Sequence, residues 1–135
     1  MRFAMKITDN FLLEPVLHTF GVRPETSYFE IEGGKLEVRM GIWFHESFAL
    51  DNVARIAPSD WPWWGGLGVK LHHHGVGVVG STEGVVNVQL EVEQDVCAVV
   101  KVKCSQLWLS VEDHEGFLRV LAEATGVPVS NHTPF

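Results

Sequence analysis

Apolar and polar residues alternate with a period of two through most of residues 28–111, and only afterwards does the spacing lengthen to that of a helix. Successive side chains of an extended chain point to opposite faces, so this period marks half-buried strands. The clearest run is 85–93, with Val86, Val88, Leu90 and Val92 directed inward and Asn87, Gln89, Glu91 and Glu93 outward. Residues 2–8 alternate in the same way, with Phe3, Met5 and Ile7 on one side and Arg2, Ala4 and Lys6 on the other. Segments 27–32 and 35–40 flank Glu32-Gly33-Gly34-Lys35, a compact hairpin signal. The pattern predicts further strands at 42–49, 53–57, 67–74, 96–103 and 106–111, with 75–80 continuing 67–74 after a kink.

Two segments carry helical spacing. Leu13, Val16, Leu17 and Phe20 predict a short helix at 14–20, with Pro15 at its start and Gly21 at its end. Residues 113–124 predict the second, capped by Asp113, with Phe117, Leu118, Leu121 and Ala124 on the apolar side. Gly126 ends it, Pro128 forbids continuation, and the tail 129–135 is expected to be loose. Strands followed by one terminal helix predict a mostly β, α+β fold. The expected form is an antiparallel, strongly bent β-barrel of about seven or more strands, or a strongly bent double sheet, with a C-terminal capping helix; a split β-barrel is the alternative. No repeat or linker interrupts residues 1–135, so one domain is expected, with its core in 2–126.

Charge narrows the partners. The chain of 135 residues has a formal net charge of −7, and its basic residues are scattered. That balance argues against nucleic acid and against anionic lipid, both of which need clustered Lys and Arg. No apolar run approaches the roughly 18 residues of a membrane span. The opening Met-Arg-Phe-Ala-Met-Lys lacks the apolar stretch of a signal peptide, so a cytoplasmic location is expected. Cys97 and Cys104, the two cysteines, read as free thiols in such a chain.

Two clusters are candidates for chemistry. Trp61-Pro62-Trp63-Trp64-Gly65-Gly66 puts three indoles in a loop, where they can form an aromatic wall for a ligand or fold back to plug a barrel mouth. Trp43 and Trp108 sit on the nominally polar sides of their strands and can join them in a common pocket. In His72-His73-His74, His72 and His74 share a strand face and can hold a metal, with His45 or Glu83 as an outside donor. Lys70 on the same face opposes a dication, and a solvated polar face, with His73 partly buried beside Val69 and Leu71, is the favoured reading of the triplet. Ser81 lacks a nucleophile context, Cys104 has no histidine tied to it, and Asp51 and Asp60 are ordinary turn residues. The glycines at 65, 66, 68, 75, 77 and 80 match no phosphate-binding fingerprint, and no cofactor is expected.

Residues 29–41, Phe-Glu-Ile-Glu-Gly-Gly-Lys-Leu-Glu-Val-Arg-Met-Gly, followed by Phe-Ala-Leu-Asp-Asn-Val at 48–53, resemble the opening meander of bacterial pleckstrin-homology-like (PH-like) domains. Residues 107–118, Leu-Trp-Leu-Ser-Val-Glu-Asp-His-Glu-Gly-Phe-Leu, resemble their last strand entering the capping helix. The same stretches are similar to a group of small uncharacterised actinobacterial proteins, through Gly41-Ile-Trp43 and Asn52-Val53. The resemblance implies a bent barrel plugged at one end by its helix, and no catalytic residue. Basic residues of the first loop, used by phosphoinositide-binding members, have no counterpart in Glu32-Gly33-Gly34-Lys35, so headgroup binding is not carried over.

The expected function is a non-enzymatic binding module. It would take a protein, a peptide or a small hydrophobic ligand at Trp61, Trp63 and Trp64, with Trp43 and Trp108 alongside. A metal-dependent protein or enzyme built on His72, His74 and His45 is the alternative, and open strand edges allow a homodimer.

Overall fold

The structure is a computed structural model that describes residues 1–7, 27–41, 44–61, 68–72, 74–98 and 100–132; of Gly68 and His72 only the backbone is described. The predicted helix at 14–20 lies outside these residues, as do Trp43, Trp63, Trp64 and His73.

The chain is mostly β, with one helix following the strands. β1 (Arg2–Ala4), β2 (Ser27–Glu32), β3 (Lys35–Met40) and β4 (Phe44–Ala49) form an antiparallel sheet in the order β1-β2-β3-β4. β2 and β3 have the bounds that the alternation predicts. Gly33 and Gly34, at φ 59° and 75°, supply the two positive-φ positions that a tight hairpin turn demands. After a 3-10 turn at Leu50–Asn52 come β5 (Val53–Pro58), β6 (Gly68–His72), β7 (Gly75–Val79), β8 (Val85–Ala98) and β9 (Val100–Ser110). They form a second sheet in the order β5-β8-β9-β7-β6, and α1 (His114–Thr125) follows.

Of the two expected forms the double sheet is found among the described residues and the barrel is not, and the all-antiparallel arrangement is corrected. Among the described residues the strands make two sheets, and β7 runs parallel to β9. Segment 75–80 does not continue 67–74 but reverses on it, because His74 takes a left-handed φ of 58° and turns the chain. β6 and β7 are therefore a hairpin whose second strand lies beside β9. β8 ends at Ala98 and β9 begins at Val100, inside the segment predicted as one strand, 96–103, whose sequence holds no turn-favouring residue.

Where a barrel would have ladders, the two sheets are joined by side chains and by a short crossing segment. At one seam the Gln94 amide donates to the Ser47 carbonyl at 2.8 Å, and the Glu46 carboxylate accepts from the Cys97 amide at 3.0 Å. Asn52 stands in for a missing strand there, donating to the Val92 carbonyl at 2.8 Å and accepting from its N–H at 3.0 Å. At the other seam Lys6 N–H donates to Ser110 O at 2.9 Å and Glu112 N–H to Ala4 O at 3.0 Å. The buried Ser110 hydroxyl pins this crossing, donating to Lys6 O at 2.9 Å and accepting from Gly80 N–H at 2.8 Å.

Val92, expected inward, is 68% exposed. The β8–β9 register slips between Gln89 and Gln94, and the bulged residues lose the alternation on which the expectation rested. Asn52→Ala is expected to cost about 1 kcal/mol, because it removes two hydrogen bonds to a bulged backbone. A urea melt with an unchanged midpoint would show that the seam is not held at this point.

The core fills the space between the sheets and under α1. Asp113 caps the helix by accepting from Gly116 N–H at 3.1 Å, and Gly126 closes it at φ 75°. Phe117, Leu118 and Leu121 are buried as expected, but Ala124 is exposed. The Phe117 ring meets Phe3 edge-on at 5.3 Å and Phe29 at 6.0 Å, tying the helix to β1 and β2. Through residue 132 the tail lies against β5 and its neighbours. Ser130 N–H donates to Ile56 O at 2.8 Å, Arg55 donates to Asn131 O at 3.2 Å, and His132 meets Asp60 at 2.8 Å, so the tail covers the outer edge of β5.

Candidate functional site

The second sheet is buried on both faces along Gly75–Val79, 85–88 and 107–110. Its inner face, with Val76, Val78, Val86, Val88, Leu107 and Leu109, belongs to the main core. By strand alternation the outer face carries Gly75, Gly77 and Val79 of β7, Gln106 and Trp108 of β9, and Val85, Asn87 and Gln89 of β8. Trp61, Trp108, Val79 and Val85 form a second apolar cluster there, and the two indoles lie 6.0 Å apart at 53°. Trp61 is only 5% exposed and Trp108 only 4%.

The two glycines make this possible. A Cβ on Gly77 would stand 2.6 Å from the Trp61 ring, and one on Gly75 would stand 2.7 Å from Trp108 and 2.6 Å from the Gln106 carbonyl. Gly at alternate positions thus leaves bare backbone on which the indoles lie. An amide network adjoins the cluster: Asn87 donates to Leu107 O at 3.2 Å and to Gln106 Oε1 at 3.3 Å, and Gln89 donates to Asn87 Oδ1 at 3.1 Å. Asn87 points outward as the alternation predicts, yet it is fully buried because the face it points from is covered.

Of the predicted aromatic site, then, Trp61 and Trp108 are brought together, and in a buried shelf rather than an open rim. The sequence reading missed Gly75, Gly77 and Asn87. The signal was present in Gly-Val-Gly-Val at 75–78, where glycine alternating with valine marks a strand face stripped of side chains.

The histidines lie on different sheets. His45 is on β4 opposite Arg39, with its Nε2 3.3 Å from Glu37 Oε2. His74 forms the β6–β7 turn, and its carbonyl accepts both the Ser105 N–H at 2.8 Å and the Ser105 hydroxyl at 2.9 Å. Among the described residues no three metal-donor side chains come together.

Glu37 anchors a polar cluster on the outer face of the first sheet. Its carboxyl is held below the usual value by a hydrogen bond from Tyr28, an effect that burial opposes and His45 and Arg2 reinforce. Arg2 in turn stacks over the Tyr28 ring at 3.9 Å and pairs with Glu30 at 3.0 Å. A carboxylate whose folded pKa is depressed adds stability above its unfolded value, and that stability is lost as pH falls through the folded value. Glu37→Gln is therefore expected to flatten the acid limb of the stability curve below about pH 5. Parallel wild-type and variant acid melts would refute this role for Glu37.

Cys97 is exposed and Cys104 buried, both free. Burial pushes the Cys104 thiol up to about 11, which makes it a poor nucleophile at neutral pH. Among the described residues no helix is long and apolar enough to cross a membrane. A scan against models of protein families, a search of curated proteins and a search of solved structures each found no match.

Proposed function

We propose that this chain is a non-enzymatic interaction module that engages a protein, a peptide or a small hydrophobic ligand through the tryptophan-bearing segment that begins at Trp61. The observation that carries the reading is the locking of Trp61 onto Gly77 and Trp108. The segment leaves the framework from a fixed indole and rejoins it at β6, so both ends are held. Trp63 and Trp64 follow in sequence, and indoles bring large contact area at little conformational cost.

Buried polar groups elsewhere serve the framework: Ser27 accepts from Gly41 N–H at 3.2 Å, and Ser110 and Asn87 hold backbone as described above. The resemblance to PH-like domains supports the same role, since it implies a β framework with a terminal helix and no catalytic residue. Two free thiols, one of them exposed, support a cytoplasmic setting.

The test is selection of displayed random peptides on the immobilised protein, followed by titration of a selected peptide. The double variant Trp63→Ala/Trp64→Ala is expected to bind at least about tenfold more weakly, since tryptophans dominate such interfaces. Its melting midpoint is expected to stay within about 2 °C of wild type, the behaviour of surface substitutions. Absence of enriched peptides, or undiminished binding by the variant, would overturn the reading. A collapse of the midpoint would assign both indoles to the framework instead.

A further inference from the structure

β9 is longer than the strand that flanks it. β7 pairs with it only from Gln106 to Leu109, and the ladder closes where Ser105 N–H and hydroxyl meet His74 O. Beyond that point residues 100–104 have β8 on one side and, among the described residues, no strand on the other. Ser105 N–H points to the open side. Backbone groups alternate along a strand, so the N–H and C=O of Lys103 and Lys101 point there too.

The side chains sort by face. Lys101 and Lys103 lie with Cys97 and Asp95 on one face, and Val100 and Val102 lie with Ala98 and Val96 on the other. Lys103 is held by Asp95 at 3.1 Å. Lys101 is exposed and has no ion pair among the described residues, and Val100 is 58% exposed. An open edge is thus offered with apolar and cationic positions in alternation, in a chain of net charge −7.

Charge decides the occupant. A second copy adding through the same edge would set lysine near lysine, which opposes pairing. The strand that β9 already accepts, β8, sets a carboxylate against Lys103 and a valine against Val102. We infer that residues 100–104 dock an extended segment of a partner protein by strand addition, and that this segment alternates acidic and apolar side chains. Main-chain hydrogen bonds from Lys101 and Lys103 supply the pairing, Lys101 meets a carboxylate, and Val100 and Val102 extend the apolar face. The His74 turn marks one end of the slot. This surface is separate from the tryptophan segment and does not depend on it.

The test is fluorescence anisotropy of the labelled peptide Glu-Val-Glu-Val-Glu-Val against the full chain, with Lys-Val-Lys-Val-Lys-Val as control. Saturable binding of the acidic peptide alone is expected, and Lys101→Glu should weaken it about tenfold without lowering the melting midpoint. Amide hydrogen exchange should slow at Lys101 and Lys103 on binding, and Trp63→Ala/Trp64→Ala should leave the affinity unchanged. Equal binding of both peptides, indifference to Lys101→Glu, or protection confined to other strands would overturn the assignment. So would a concentration-dependent dimer that protects the same two amides without peptide.

Discussion

Phe117→Ala is expected to destabilise the protein by about 3–5 kcal/mol, the range for emptying a fully buried aromatic site. Phe117 shows no exposed surface and touches rings on two strands of the first sheet, at 5.3 Å and 6.0 Å. The cavity left behind is bordered by rigid β1 and β2 backbone and by α1 itself, so collapse around it is limited. Total stability of a domain is about 5–15 kcal/mol, which makes this loss a large share of the whole. Phe117→Leu, which keeps much of the volume, should recover more than half of the difference in a denaturant melt. Equal, small losses in both variants would show that the helix does not rest on this ring.

The second large effect is expected on the opposite face. Gly75→Ala should cost about 1–3 kcal/mol or more, as overpacking of a filled site does. The added carbon would meet the Gln106 carbonyl at 2.6 Å, and backbone in a parallel ladder has little room to yield. Gly77→Ala meets only the far edge of the Trp61 ring, also at 2.6 Å, so the ring is the part that moves. The two variants therefore separate: Gly75→Ala lowers stability most, while Gly77→Ala changes the tryptophan emission most. If Gly77→Ala left both stability and emission unaltered, Trp61 could not be lying on that glycine.

These contrasts show where the sequence was legible. Period-two alternation gave β2 and β3 to the residue, and helical spacing gave the terminal helix with its Asp113 and Gly126 caps, because each of those features is local. It could not give the parallel β7–β9 pair. That pairing depends on a reversal at His74, a residue with no strong turn preference, and on the distant Gln106. Nor could it give the exposure of Val92, since a bulge resets the phase without leaving a mark in composition. For the candidate site, the indoles were visible but their burial was not. The room in which Trp61 and Trp108 lie is left by Gly77 and Gly75, on a strand that the alternation alone left with one dry face and one wet one.

The binding roles proposed above lie outside the shelf. Indoles at 5% and 4% exposure are spent on covering a sheet. The proposed recognition surfaces are therefore the segment that follows Trp61 and the edge of β9.

Tryptophan emission of the triple variant Trp43→Phe/Trp63→Phe/Trp64→Phe, which keeps only Trp61 and Trp108 of the five tryptophans, bears on this most directly. A blue-shifted spectrum that acrylamide barely quenches in the native state, and that shifts red on unfolding, is the result predicted. A red-shifted, freely quenched native emission at undiminished stability would contradict it, by returning both rings to solvent.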